Sequence, residues 1–181
     1  MTQFPTVVYS ESKEDLIKQY ISVNDFLYKF YKETPLEYFN SKGFPDGWSI
    51  KKNLKHVISS NYSFGLWIGA PSFFLNLFGK IKKSHHSVEK INPTNRNGIT
   101  DYGRYLKSEN NSQEEKDKLL KQLNDSCDHI CRKIDKRTEN ELNEFRGFFL
   151  NINLKMFCLF VLKHNLHHSN VVNLRLKSTL E

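Results

Sequence analysis

Two histidines four residues apart, His164 and His168, stand in Lys163-His164-Asn165-Leu166-His167-His168, late in a long apolar stretch. On an α-helix, residues i and i+4 share a face one turn apart. Two imidazoles so placed can chelate one metal ion. A third ligand must come from elsewhere, and His56, in Leu54-Lys55-His56-Val57, is the natural candidate. Three neutral imidazoles leave coordination positions for water or substrate, as in a catalytic rather than a structural site. At about 100° per residue, His164 and His168 share their face with Leu150, Phe157, Val161 and Val171, the stripe expected to face the core. Adjacent buried imidazoles without partners are costly, and a metal or a water network relieves that cost. The competing reading is a chance i,i+4 pair on a helix surface.

The elements that must position these residues read as four long helices. Residues 1–11 form an extended lead-in. Ser12 caps the first helix, with Asp15 as a capping-box partner, and its stripe is Leu16, Tyr20, Val23, Leu27 and Phe30. Thr34-Pro35 ends it, and Pro35 can open a short helix through Phe39. Gly43, Pro45, Asp46 and Gly47 make a turn. Ser49 caps the second helix, whose stripe is Ile50, Leu54, Val57, Phe64 and Ile68. His56 lies about 135° from the centre of that stripe, on a second face with Asn53, Ser60, Ser63 and Trp67. That face suits a wet pocket inside a bundle; otherwise His56 is a surface residue. The connection 84–111 is long for a compact domain and carries function or a crossover. Ser112 and Glu115 read as a capping box for a third helix along Leu119, Leu120, Leu123, Cys127, Ile130 and Ile134. A turn after Thr138 leads to Phe145–Phe149, and a fourth helix over 151–174 carries the histidine pair. No repeat and no alternating strand is evident. The fold class is therefore all-α, one domain over 1–181, and bundle cores commonly host metals.

Composition narrows the class. The chain has 181 residues, 38% hydrophobic and 26% charged, which suits a globular domain with a substantial core. A net charge of +7 raises the question of nucleic acid, but the lysines are spread over every helix and mixed with acids. No basic block tracks a phosphate backbone, so no nucleic-acid partner is expected. Cys127, Cys131 and Cys158 do not form a disulfide framework; reduced, partly buried thiols in a cytoplasmic protein are expected. The N-terminus shows no signal-peptide pattern.

From Tyr62 to Gly79 no residue is charged. Gly69, Ala70 and Pro71 interrupt the segment, and Ser63, Ser72 and Asn76 dilute it, so no transmembrane span is expected. A buried helix followed by an aromatic flap, Trp67 to Phe78, is the reading, with peripheral membrane contact as the alternative. Such an apolar flap should be covered. It either closes the mouth of the histidine site or makes a subunit contact, which allows a homodimer. The second helix is about 28 Å long at 1.5 Å per residue, with His56 near its start and the flap at its end. That separation favours a subunit or core-closing role.

Gly47-Trp48-Ser49-Ile50-Lys51-Lys52-Asn53-Leu54-Lys55-His56-Val57 resembles the start of the second helix in the DinB/YfiT-like superfamily, where a Trp at the helix entrance is followed eight residues later by a metal-binding His. His164-Asn165-Leu166-His167-His168 resembles that family's second motif, on the last helix. The resemblance runs from about residue 12 to residue 175. It implies a four-helix bundle of the DinB/YfiT-like type, with a divalent metal held by His56, His164 and His168 and with His167 turned away. The metal would be zinc or nickel, ahead of iron or manganese. It further implies a small-molecule substrate and a low-molecular-weight thiol as co-substrate, since related transferases and isomerases use one. The apolar flap and the long connection depart from the small members of the family, so no particular substrate carries over.

A thiol-dependent S-transferase is thus the leading expectation, because a metal stabilises the nucleophilic thiolate. A metal-dependent hydrolase is the alternative, though Asn165 after the first His is unlike the Glu of an HExxH protease. A non-catalytic stress-response binding module is a third reading. His85, His86 and His129 are not expected to bind metal: the first two lie in a polar Lys-rich loop, and His129 lies off the third helix's stripe.

Overall fold

A computed structural model describes residues 3–44, 47–81, 87–93, 103–148 and 151–181. His85, His86, Pro45, Asp46, Phe149, Leu150 and part of the 84–111 connection lie outside these residues. Among the described residues the chain is mostly helical, with six α-helices and one two-stranded sheet. No helix among them is long and apolar enough to cross a membrane.

Helix α1 spans Lys13–Glu33. The Ser12 hydroxyl accepts from the Asp15 N–H at 3.0 Å, satisfying one orphan donor of the first turn. The Asp15 carboxylate accepts from the Ser12 hydroxyl at 2.8 Å, so the reciprocal half of the expected capping box is absent. The expected stripe from Leu16 to Phe30 is buried. Pro35 disfavours helical backbone at Thr34 and ends the helix. Lys116, itself buried, donates to the carbonyls of Lys32 at 2.8 Å and Thr34 at 2.6 Å, occupying acceptors that the helix end leaves open. The short helix expected over 35–39 is a single 3-10 turn, Leu36–Tyr38.

Helix α2 spans Ile50–Ile68, with Ser49 accepting from the Lys52 N–H at 3.1 Å. After Gly69 and Pro71 comes a short helix α3, Ser72–Leu77. Helix α4 spans Gln113–Asp135, capped by Ser112. Glu115 does not complete that cap; its carboxylate turns outward to Lys51 on α2 at 2.7 Å, with Lys55 at 3.7 Å. An ion pair across two helices has replaced the expected local one. Where only a turn was expected after Thr138, helix α5 spans Glu139–Glu144, and here Thr138 and Glu141 do form a reciprocal capping box. Helix α6 spans Leu154–Leu180 rather than 151–174, with Asn153 accepting from the Met156 N–H at 2.9 Å.

The four long helices share one core: α2 packs on α4 and α6, and α1 packs on the same two. Strands β1, Gly43–Phe44, and β2, Arg104–Tyr105, pair antiparallel beside α6. Two residues are too few for alternation to show in a sequence. One polar chain crosses the apolar interior. Asn165 Nδ2 donates to Asn61 Oδ1 at 2.7 Å, Asn61 Nδ2 to Ser126 Oγ at 3.0 Å, and Ser126 Oγ to the Leu123 carbonyl at 2.7 Å. It links α6, α2 and α4 at one level.

Candidate functional site

The rings of His56, His164 and His168 come together between α2 and α6. Their centroids are 5.0 Å apart for His56 and His164, 4.4 Å for His56 and His168, and 4.6 Å for His164 and His168. One ring nitrogen from each lies within 4.8 Å of the others. The Nε2 atoms of His56 and His164 are 3.3 Å apart. Two nitrogens held by one tetrahedral ion at about 2.0–2.1 Å stand about 3.3–3.4 Å from each other. The same distance also admits a long imidazole–imidazole hydrogen bond, with one ring as donor. The arrangement could therefore hold a divalent ion. No Asp, Glu or Cys joins the group among the described residues.

The pair on α6 is not centred on the core. Residues 154–162 are buried on every side of the helix, whereas His164, His168 and Val171 are half-buried. The expected stripe holds at Phe157 and Val161 and gives way to a groove facing α2 beyond Leu162. His56 is also half-buried, looking across that groove from the second face of α2. Asn53 and Ser60 on that face are buried and Ser63 is exposed, so the face is a groove wall rather than an interior wet pocket.

Burial lowers the His56 pKa below its usual value. Burial, and then the proximity of His56, push His164 down to about 4. Both rings are thus neutral near pH 7, the form that binds a metal. The His164 Nδ1 is buried and has no hydrogen-bond partner.

Aromatic residues wall the site. Trp48 lies parallel to His168 at 5.7 Å and edge-on to His56 at 5.1 Å. Phe64 and Phe160 meet His164 at 6.0 and 5.9 Å. The Lys52 ammonium lies 4.6 Å from the centre of the Trp48 ring. The Trp48 carbonyl accepts from Arg175 at 3.4 Å. Arg175 in turn fills space that a side chain at Gly43 or Gly47 would occupy, and its guanidinium lies 5.9 Å from the Tyr105 ring. The turn before α2 is thus wrapped around an α6 side chain. Trp48 was legible from its spacing to His56. Arg175 and Phe160 were not assigned to the site, although Arg175 lies two helical turns beyond His168 on the same face.

His167 is near His168, at 5.4 Å between ring centres, and stands outside the three-nitrogen group. His129 also stands outside it, packed on Tyr62 at 5.1 Å.

The flap follows the end of α2 and includes α3. Trp67 packs edge-on against Phe78 and Phe148 at 4.8 Å each and against Phe74 at 6.0 Å. Trp67, Phe74 and Phe148 border a pocket of about 420 Å³ that extends back to Ser63 and Phe64. Helix length exaggerated the separation, because the pocket begins at Phe64, whose ring touches that of His164. No family model, curated protein or solved structure matches the chain.

Proposed function

We propose that the chain is a metal-dependent enzyme, a four-helix bundle of the DinB/YfiT-like type with one divalent ion, zinc or nickel, held by His56, His164 and His168. The 3.3 Å separation of two Nε2 atoms beside a third converging imidazole is the observation that carries this reading. The depressed pKa of His164, caused by burial, supports it. A bound divalent ion would supply Lewis acidity, lowering the pKa of a thiol or a water brought to its open positions.

Between those two nucleophiles we favour a low-molecular-weight thiol, and hence S-transfer to a small electrophile. The walls are Trp48, Phe64 and Phe160, which suit a soft, weakly hydrated sulfur. Among the described residues no carboxylate joins the grouped ligand atoms to act as a base for water. Trp48 holds the ring planes of His56 and His168, and Phe64 and Phe160 shield His164 from solvent. A cytoplasmic site of action fits the free thiols of Cys127, Cys131 and Cys158.

Metal analysis of the purified protein, followed by transfer of several low-molecular-weight thiols to monochlorobimane, tests the proposal. His56→Ala, His164→Ala and His168→Ala should each remove stoichiometric metal and turnover, while His129→Ala and His167→Ala keep the metal. Full metal content in His56→Ala would sink the three-histidine assignment. Metal-dependent turnover that needs no thiol would replace transfer by hydrolysis.

A further inference from the structure

The pocket beyond Phe64 has a composition unlike that of an ordinary surface hollow. Its walls are Phe64, Leu66, Trp67, Phe74 and Phe148, with Ser63 as the polar exception, and among the described residues no charged one lines it. Its volume of about 420 Å³ is that of a small-molecule site. Leu66 is 66% exposed and Phe148 55% exposed, so the rim is apolar surface offered to solvent, which soluble domains avoid without a use for it.

The pocket is also built to keep its shape. Trp67 Nε1 donates to the Arg146 carbonyl at 3.2 Å, which orients the indole. Buried Arg137 donates to the Ile68 carbonyl at 2.7 Å and also to the Ala70 carbonyl, tying the link between α2 and α3 to the end of α4. A preformed cavity spares a ligand the cost of ordering its walls.

Position connects it to the histidines. Along α2, Ser63 and Trp67 follow His56 by seven and eleven residues, so all three lie within about 20° of one line on the helix. Phe64 faces both ends: its ring is 6.0 Å from His164 and it lines the pocket. The span from His56 to Ser63 is about 10 Å along the helix axis.

We propose that this pocket binds an uncharged alkyl or aryl group of the substrate, whose polar, reacting end lies about 10 Å away at the three histidines. The substrate class is an amphiphile, with a hydrocarbon or aromatic tail running past Phe64 from a small polar head. This inference rests on the metal reading above, and its test separates the two.

The probes are alkyl hydroxamates, whose head chelates a divalent ion and whose tail can be lengthened. Calorimetric titration of the zinc-loaded protein with aceto-, hexanoyl-, octanoyl- and decanoyl-hydroxamate reads head and tail separately. The longer tails should tighten binding by about threefold per added methylene once they pass Phe64. Leu66→Lys, at the exposed rim, should abolish most of that gain and leave acetohydroxamate unchanged. Phe148→Ala is the second variant, with the same expectation. Equal affinity for all chain lengths, with acetohydroxamate bound, overturns the pocket assignment and leaves the histidine reading standing. Failure of every hydroxamate, in a protein that retains no zinc, overturns both. A dimer in sedimentation that Leu66→Lys dissociates, with no chain-length effect, also overturns the proposal and makes the pocket a subunit contact.

Discussion

The two nitrogens of the His164 ring have different surroundings. Nε2 looks across the groove to His56 at 3.3 Å, while Nδ1 is buried without a partner. Burial, and then the nearby His56, disfavour a charge on this ring more than the Asn165 side chain favours it, so its pKa is held at about 4 against 6.5 for a free histidine. The sign of the pH dependence follows. Between those two values the unfolded chain takes up a proton that the folded chain refuses, so acidification favours unfolding. Metal-free protein should therefore hold its full His164 contribution above about pH 6.5 and lose it progressively down to about pH 4. Urea midpoints at several pH values would show this, and His164→Gln should flatten the slope in that window. An unchanged slope in the variant would mean that His164 is not the group responsible.

At the scale of elements, the three histidines are positioned by contacts remote from their own rings. Asn165 follows His164, and Asn61 lies five residues after His56; their 2.7 Å hydrogen bond sets α6 against α2 at the level of the site. Asn165→Leu would leave the Asn61 acceptor buried without its donor, at a cost of about 1–3 kcal/mol. Differential scanning calorimetry should then show a fall in Tm, which a second change, Asn61→Leu, should partly restore. Arg175 holds the other side, through the Trp48 carbonyl. Arg175→Met should loosen Trp48 and weaken zinc binding by about tenfold, with little change in helix content by circular dichroism. Unaltered zinc affinity would show that Trp48 is held by its ring contacts and by the Asn53 and Tyr105 donors to its carbonyl.

These same elements show what a sequence exposes. Helix existence, Ser caps and the buried stripes of α1, α2 and α4, half-buried Phe64 apart, follow from period and local chemistry, and so do the three histidines, whereas Trp48 came from the family resemblance. What escaped depended on distant partners. Glu115 left its cap for Lys51, a choice made by tertiary proximity. The stripe on α6 could not reveal where burial on all sides gives way to a groove. Arg175 is an ordinary helix residue until Gly43 and Gly47 close around it.

For the whole molecule, the outer face of α3 is the feature least like a monomer's surface. Phe73 is 74% exposed and Leu77 78% exposed, one turn apart on a helix whose opposite face, Phe74 and Phe78, packs on Trp67. That pair is where the homodimer allowed by the sequence would have its contact, separate from the pocket. Sedimentation velocity should find a dimer in the unaltered protein, and Phe73→Ser with Leu77→Ser should convert it to monomer without loss of zinc. A monomer at all concentrations would remove this contact from consideration.

The separation of His56 from His164 by 108 residues has a consequence for chain topology. An ion shared by α2 and α6 would be a cross-link that closes a loop over more than half of the sequence, with α3, α4 and α5 inside it. Loop-closure entropy grows with the logarithm of loop length, so such a clip restricts the unfolded ensemble far more than one joining neighbours within a single helix. His164 and His168 alone would tie together only one turn. With an ion bound, the histidine on α2 would make the centre a topological staple, and loss of the ion would release two distant parts of the chain from each other.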